Sequence, residues 1–168
     1  MPSNTDPSVW EVVAFSVWAM PSPPPGAASH ETYRSPIGEP RPRNTLPMMR
    51  PITFGNCARE EAFKSACAAN KDRFFDGPYN KRHVFLKILL CHPDYQRRGA
   101  GTALTNWGID AARRLGVNTT VFASPMGESL YEKLGFKKLG TFRVQSDGDA
   151  AFLEIPAMVL ATATQRVQ

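Results

Sequence analysis

The sequence is poor in everything that would build a metal or disulfide scaffold. Its three cysteines, Cys57, Cys67 and Cys91, stand far apart with no CxxC pair. That spacing excludes a zinc ribbon and a dithiol redox motif. An odd cysteine count argues against a disulfide framework, and reduced thiols suit an intracellular protein, cytoplasmic or nuclear. The three histidines, His30, His83 and His92, show no metal-ligand spacing, so no metal is expected. Long apolar runs are missing too: Val12 to Met20 is the longest early stretch, too short to span a bilayer. No Lys or Arg precedes Arg34, which argues against a secretory signal. No membrane partner is expected.

What is present is a core. Hydrophobic residues make up 42% of the 168, so wholesale disorder is excluded. Twenty Lys and Arg against fifteen Asp and Glu give a formal charge of +5. That balance suits an anionic partner, but scattered surface lysines would also produce it. The basic residues are spread along the chain and no base-stacking motif accompanies them, so nucleic acid is disfavoured.

Residues 11–20, EVVAFSVWAM, read as a strand, nearly all apolar and therefore central. Nine of the fifteen prolines then fall between Pro21 and Pro51. Proline removes backbone donors, so 21–55 reads as an irregular insertion, either a linker or an ordered lid. Residues 57–71 look helical, with Ala58, Ala62 and Ala66 on one stripe. HVFLKILLC, 83–91, is the strongest strand signal. After the loop HPDYQRRGAG, apolar spacing predicts a helix from Gly99 to Leu115, with Gly116 at its C-cap. Residues 119–124 read as a strand. Ser124 then reads as an N-cap, Pro125 as the first helical position, and Gly135 as the stop. Strands over 137–145 and 150–160 flank the turn Ser146-Asp147-Gly148-Asp149.

This order predicts an α/β chain in one 168-residue domain. Strands joined by a helix lie parallel and the final hairpin is antiparallel, so the sheet is mixed and flanked by helices.

The chemistry sits in the loop after the second strand. Gly99 and Gly101 let backbone pass close to a ligand at a helix start, where unpaired amides and the helix dipole favour a phosphate. Arg97 and Arg98 add positive charge. A Walker A loop requires GK[ST] after its second glycine, and Thr102-Ala103 follows Gly101 here. A dinucleotide fingerprint requires a third glycine, and Leu104 stands in its place. A coenzyme A pyrophosphate loop is the third of the competing phosphate readings.

Gln96-Arg97-Arg98-Gly99-Ala100-Gly101 resembles the Q/R-x-x-G-x-G/A signature of the GCN5-related N-acetyltransferases, the GNAT superfamily. The stretch 89–110, LLCHPDYQRRGAGTALTNWGID, is similar throughout to that family's motif A. ASPMGESLYEKLGF, 123–136, is similar to its motif B, in the form carried by fungal-type members. The resemblance is firm over 83–160, the expected acetyl-CoA-binding core, and looser over 11–20.

The resemblance implies an N-acetyltransferase that moves an acetyl group from acetyl-CoA to an amine acceptor, small molecule or protein, by direct transfer in a ternary complex. It places the pantetheine arm along the exposed strand edge at Leu89, Leu90 and Cys91. It places the pyrophosphate on Gln96, Arg97, Arg98, Gly99, Ala100, Gly101 and Thr102. Tyr131 matches the family's general acid, sharing or donating a proton to the departing thiolate. Ser124 stands where many members have a cofactor-contacting asparagine, although helix capping alone would explain it. The general base is not legible: the strand offers Lys87 and His83, and Glu154 on the last strand or a water chain could serve. The family pattern also begins with strand–helix–helix–strand before the strand at 11–20, and those elements are expected to be missing. Their absence would expose apolar sheet, so a homodimer is expected. The alternative reading is a GNAT-like module that binds CoA or protein without turnover.

The same residues have plainer readings. Cys91 reads as a buried apolar residue, Trp107 as core, and Asp147 and Asp149 as turn chemistry.

Overall fold

The structure, a computed structural model, describes residues 12–22 and 57–162. Apart from Pro21 and Ser22, the proline-rich segment lies outside the described residues. Among the described residues five strands form one sheet: β1 (Ala14–Ala19), β2 (His83–Cys91), β3 (Asn118–Phe122), β4 (Lys137–Gln145) and β5 (Phe152–Leu160). Their order across the sheet is β1-β2-β3-β5-β4. Only the β2–β3 pair is parallel, and the other three are antiparallel. The expected mixed sheet is therefore present, with β2 and β3 as the parallel pair.

The helices cover both faces. α2 (Ala100–Leu115) crosses from β2 to β3, and α3 (Glu128–Lys133) follows β3. On their side Leu86, Val121 and Met158 pack with Ile109 of α2 and Tyr131 of α3. α1 (Cys57–Lys71) lies on the opposite face. There Ala62, Ala66 and Cys67 pack on Phe142, Val144 and Ile155. Phe75 from the wide π-type turn after α1 fills the gap against Phe85 and Ala157.

Several boundaries differ from the sequence reading. α3 starts at Glu128, not Pro125, because Ser124 to Gly127 form a turn first. Trp107, read as core, is 40% exposed, and its ring instead meets Trp18 at 6.4 Å. Cys91, read as buried, is only half-buried at the end of β2.

Two irregularities decide where the sheet opens. The β1–β2 register runs Val17↔Ile88 and then Trp18↔Leu86, so Lys87 is an extra residue, a β-bulge. Leu86 is also the last β2 residue paired to β3, opposite Val121. The bulge bends β2 away while β3 ends at Phe122. The second is Pro156 within β5. Its carbonyl accepts from Ala123 N–H at 3.0 Å, on the β3 side. The amide and carbonyl of one strand residue point the same way, so its missing N–H takes nothing from the β4 ladder.

Candidate active site

The bulge leaves a strand edge uncovered. His92 N–H donates to Val13 O at 2.7 Å, which fixes the alternation along β2. By that alternation Leu90 turns its amide and carbonyl toward β1, whereas Leu89 and Cys91 turn theirs to the open side. Of the three edge residues named from the sequence, Leu89 and Cys91 thus turn their backbone groups toward the opening. Leu90 commits its backbone to β1, and its side chain is 54% exposed on the α1 face.

The loop that follows is short and tied down. Pro93–Tyr95 make one 3₁₀ turn, and Gln96 Nε2 donates to Cys91 O at 3.2 Å. Gln96 therefore holds the loop against the strand end. Arg97 and Gly99 both take left-handed backbone, at φ 62° and 89°. Such a conformation strains an L residue and comes free to glycine. It turns the chain sharply into α2.

The first helical bond there runs from Ala103 N–H to Gly99 O at 2.9 Å. The amides of Ala100, Gly101 and Thr102 precede it, so they have no intrahelical acceptor. A Cβ at Gly99 would meet nothing within 4 Å, so this nest is open to an incoming anion. At Gly101 a Cβ would come within 3.4 Å of Leu130 Cδ2 and 3.9 Å of Leu89 Cδ2. That glycine lets α3 and the β2 edge close on the helix start. Arg98 lies over the Tyr95 ring, 5.2 Å from its centroid, beside the loop. A strand edge, a nest of amides and flanking arginines suit a long anionic ligand with an amide-bearing arm, which is what acetyl-CoA is.

Tyr131 packs under Phe136, with ring centroids 5.6 Å apart. Its residue surface is 5% exposed, and burial pushes its phenol up to about 12. The hydroxyl has no hydrogen-bond partner among the described residues, and no such group is fully sealed, so it reaches the surface. Tyr131 is thus a core ring with an unengaged hydroxyl. Ser124 Oγ accepts from Gly127 N–H at 3.1 Å, a turn-capping contact.

Sequence reasoning missed a buried network at the other end of β2. His83 sits between Thr120 Oγ1, 2.6 Å from Nδ1, and Asp76 Oδ1, 2.8 Å from Nε2. Lys71 Nζ binds the same carboxylate at 2.6 Å. Burial lowers the imidazole's proton affinity, partly offset by its bond to Asp76. Burial pushes the Asp76 carboxyl up, but Lys71 and His83 together hold it below the usual range. Residue spacing gave no signal for this, because the partners come from a turn, two strands and a helix end. His83 is eight residues from Cys91 along an extended strand, roughly 26 Å away, too far to serve as a base at the opening.

Residues 64–138 match the family model for the acetyltransferase (GNAT) domain. This region carries both the loop and the β2 side of the opening, and its match agrees with the resemblance that the sequence motifs carry. An acetyltransferase from Stachybotrys chartarum is 36% identical over 93 residues, 55% of this chain and 38% of that protein. The chain thus spans well under half of that relative's length. Among solved structures it is similar to the ribosomal-protein-S18-alanine N-acetyltransferase of Escherichia coli. That match has 26% identity and TM-score 0.42, covering 51% of this chain and 59% of that one. It is also similar to yncA from Salmonella typhimurium, solved with its cofactor acetyl-CoA. Identity there is 24% and TM-score 0.42, covering 56% of this chain and 54% of that one.

No helix among the described residues is long and apolar enough to cross a membrane. Nor do they contain a His, Cys, Asp or Glu group that could hold a metal ion.

Proposed function

We propose that this chain binds acetyl-CoA in the opening between β2 and β3 and transfers the acetyl group directly to an amine. The observation that carries the reading is the coincidence of three features at one end of the sheet. β2–β3 pairing ends at Leu86 beside the Lys87 bulge, the β2 edge beyond it has no partner strand among the described residues, and the open Gly99 nest adjoins it.

In this reading Leu89 and Cys91 hold the pantetheine amides by strand addition. The amides of Gly99 to Thr102, with Arg97 and Arg98, hold the pyrophosphate. The Cys91 N–H polarises the thioester carbonyl. Tyr131 acts on the leaving thiolate. With its phenol at about 12 and a thiol at about 8.5, full proton transfer in the ground state is uphill by roughly 5 kcal/mol. The tyrosine therefore stabilises the thiolate as a hydrogen-bond donor, and solvent completes the protonation. With His83 too far away, Glu154 on β5, Lys87 on β2 and a water chain are the remaining base candidates.

The test is calorimetric titration of acetyl-CoA into wild type, Gly99→Ala and Gly99→Glu. Both substitutions bear the same left-handed strain, and only the glutamate places a negative charge in the nest. Micromolar binding by wild type and the alanine variant, lost in the glutamate variant, supports the reading. Equal binding by all three, or none by wild type, overturns it. Binding without acetylation of any amine would favour the non-catalytic module instead.

A further inference from the structure

Resting on the reading just proposed, we infer that the acceptor is an amine carried on an apolar body, recognised by the cavity between α1 and the β4–β5 hairpin. The register places this cavity on the far bank of the same opening. β3 ends at Phe122, opposite Ala157, so residues 152–156 of β5 run on past it. Beyond that point β2 and β5 face each other across a gap of about two strand spacings, ~10 Å, left by the missing middle strand. Following the alternation set by Pro156, Phe152 and Glu154 turn their backbone groups into the gap.

The cavity holds about 290 Å³. Phe63 of α1 and Phe152 and Leu153 of β5 line it, all three well exposed. On the near bank, Phe15 and Val17 of β1 lie opposite Leu90 and Ile88 of β2 in register, and these too are exposed. Exposed large apolar side chains normally stand singly, and here they gather on both sides of one opening.

Charge within the cavity is already neutralised. Arg59 Nε donates to Asp149 Oδ2 at 2.6 Å, linking α1 to the hairpin turn, and Ala151 N–H donates to Oδ1 at 3.0 Å. A polycationic acceptor would find no uncommitted carboxylate at Asp149 and would face Arg59. An aromatic or branched aliphatic group meets apolar walls of its own size. α1 supplies one wall of this cavity through Arg59 and Phe63.

The experiment measures thiol release with acetyl-CoA and two acceptor classes: 2-phenylethylamine and leucine amide against putrescine and spermidine. Wild type, Phe63→Asp and Phe152→Asp are compared, and acetyl-CoA binding is titrated in each. We expect kcat/KM at least about tenfold higher for the apolar amines. The two variants, altered at exposed positions, should raise KM for those amines by about tenfold with kcat nearly unchanged and acetyl-CoA binding intact. Preference for the polyamines, or unmoved KM in both variants, overturns the inference and leaves the cofactor reading standing. If no amine turns over, calorimetry of 2-phenylethylamine into the CoA-saturated protein decides: absence of binding also overturns it. Failure of acetyl-CoA itself to bind brings down the underlying reading instead.

Discussion

Gly108 offers the sharpest test of how the site is braced. A Cβ at this buried position in α2 would lie 2.2 Å from two carbons of the Trp18 ring and 2.5 Å from a third. Carbon pairs rest at about 3.5–4.0 Å, so the indole or the helix must move by more than ~1 Å. Overpacking of this kind costs about 1–3 kcal/mol, and three simultaneous ring contacts place it at the upper end. Gly→Ala inside a helix returns about 1 kcal/mol of propensity. Gly108→Ala should therefore destabilise by about 2 kcal/mol, lowering Tm by roughly 4–8 °C in a chain of this size. In a Trp18→Leu background the clash is gone, and the same substitution should stabilise by up to about 1 kcal/mol. The cycle predicts a coupling near 3 kcal/mol, read from thermal and urea unfolding of the four proteins. If Gly108→Ala raises Tm in the wild-type background, β1 does not pack on α2 as described. The helix start carrying the Gly99 nest would then lack its brace.

Two further outcomes follow from the site and its surroundings. Tyr131→Phe keeps the ring packed under Phe136 and removes only the hydroxyl, so kcat should fall by about 10²-fold with acetyl-CoA affinity retained; steady-state kinetics with titration separates the two. His83 is buried with its proton affinity lowered, chiefly by desolvation, so the folded state prefers neutral imidazole. Its contribution is complete above the unfolded value of about 6.5 and is lost as pH falls toward the lower folded value. Tm should drop between pH 7.5 and 5.5, and His83→Gln should flatten that slope; an unchanged slope would place the pH dependence elsewhere.

Local signals in the chain were enough for most elements. The apolar run of 83–91, the alanine stripe of 57–71 and the Asp-Gly turn each carry their own period or turn chemistry, and α1, β2 and β4 lie where that chemistry puts them. The glycine loop was equally legible, because a phosphate nest needs backbone freedom that only particular residues give. The start of α3 was not, since Ser124 can cap either a helix or a turn, and Gly127 tips it to the turn. Trp107 looked like core because periodicity marks a helix face without saying how far its partner sheet extends.

The sequence by itself determined the order of strands and helices, the glycine loop before α2 and the resemblance that both motifs carry. Those features are written in neighbouring residues. Tertiary structure alone decided where the sheet opens, because a bulge exists only relative to a partner strand, and nothing about Lys87 marks it as the extra residue. It alone joined Lys71, Asp76, His83 and Thr120, and set Arg59 of α1 against Asp149 of the hairpin. Contacts across ninety residues leave no local trace, since each side chain there is also an ordinary surface or turn residue until the sheet brings its partner to it.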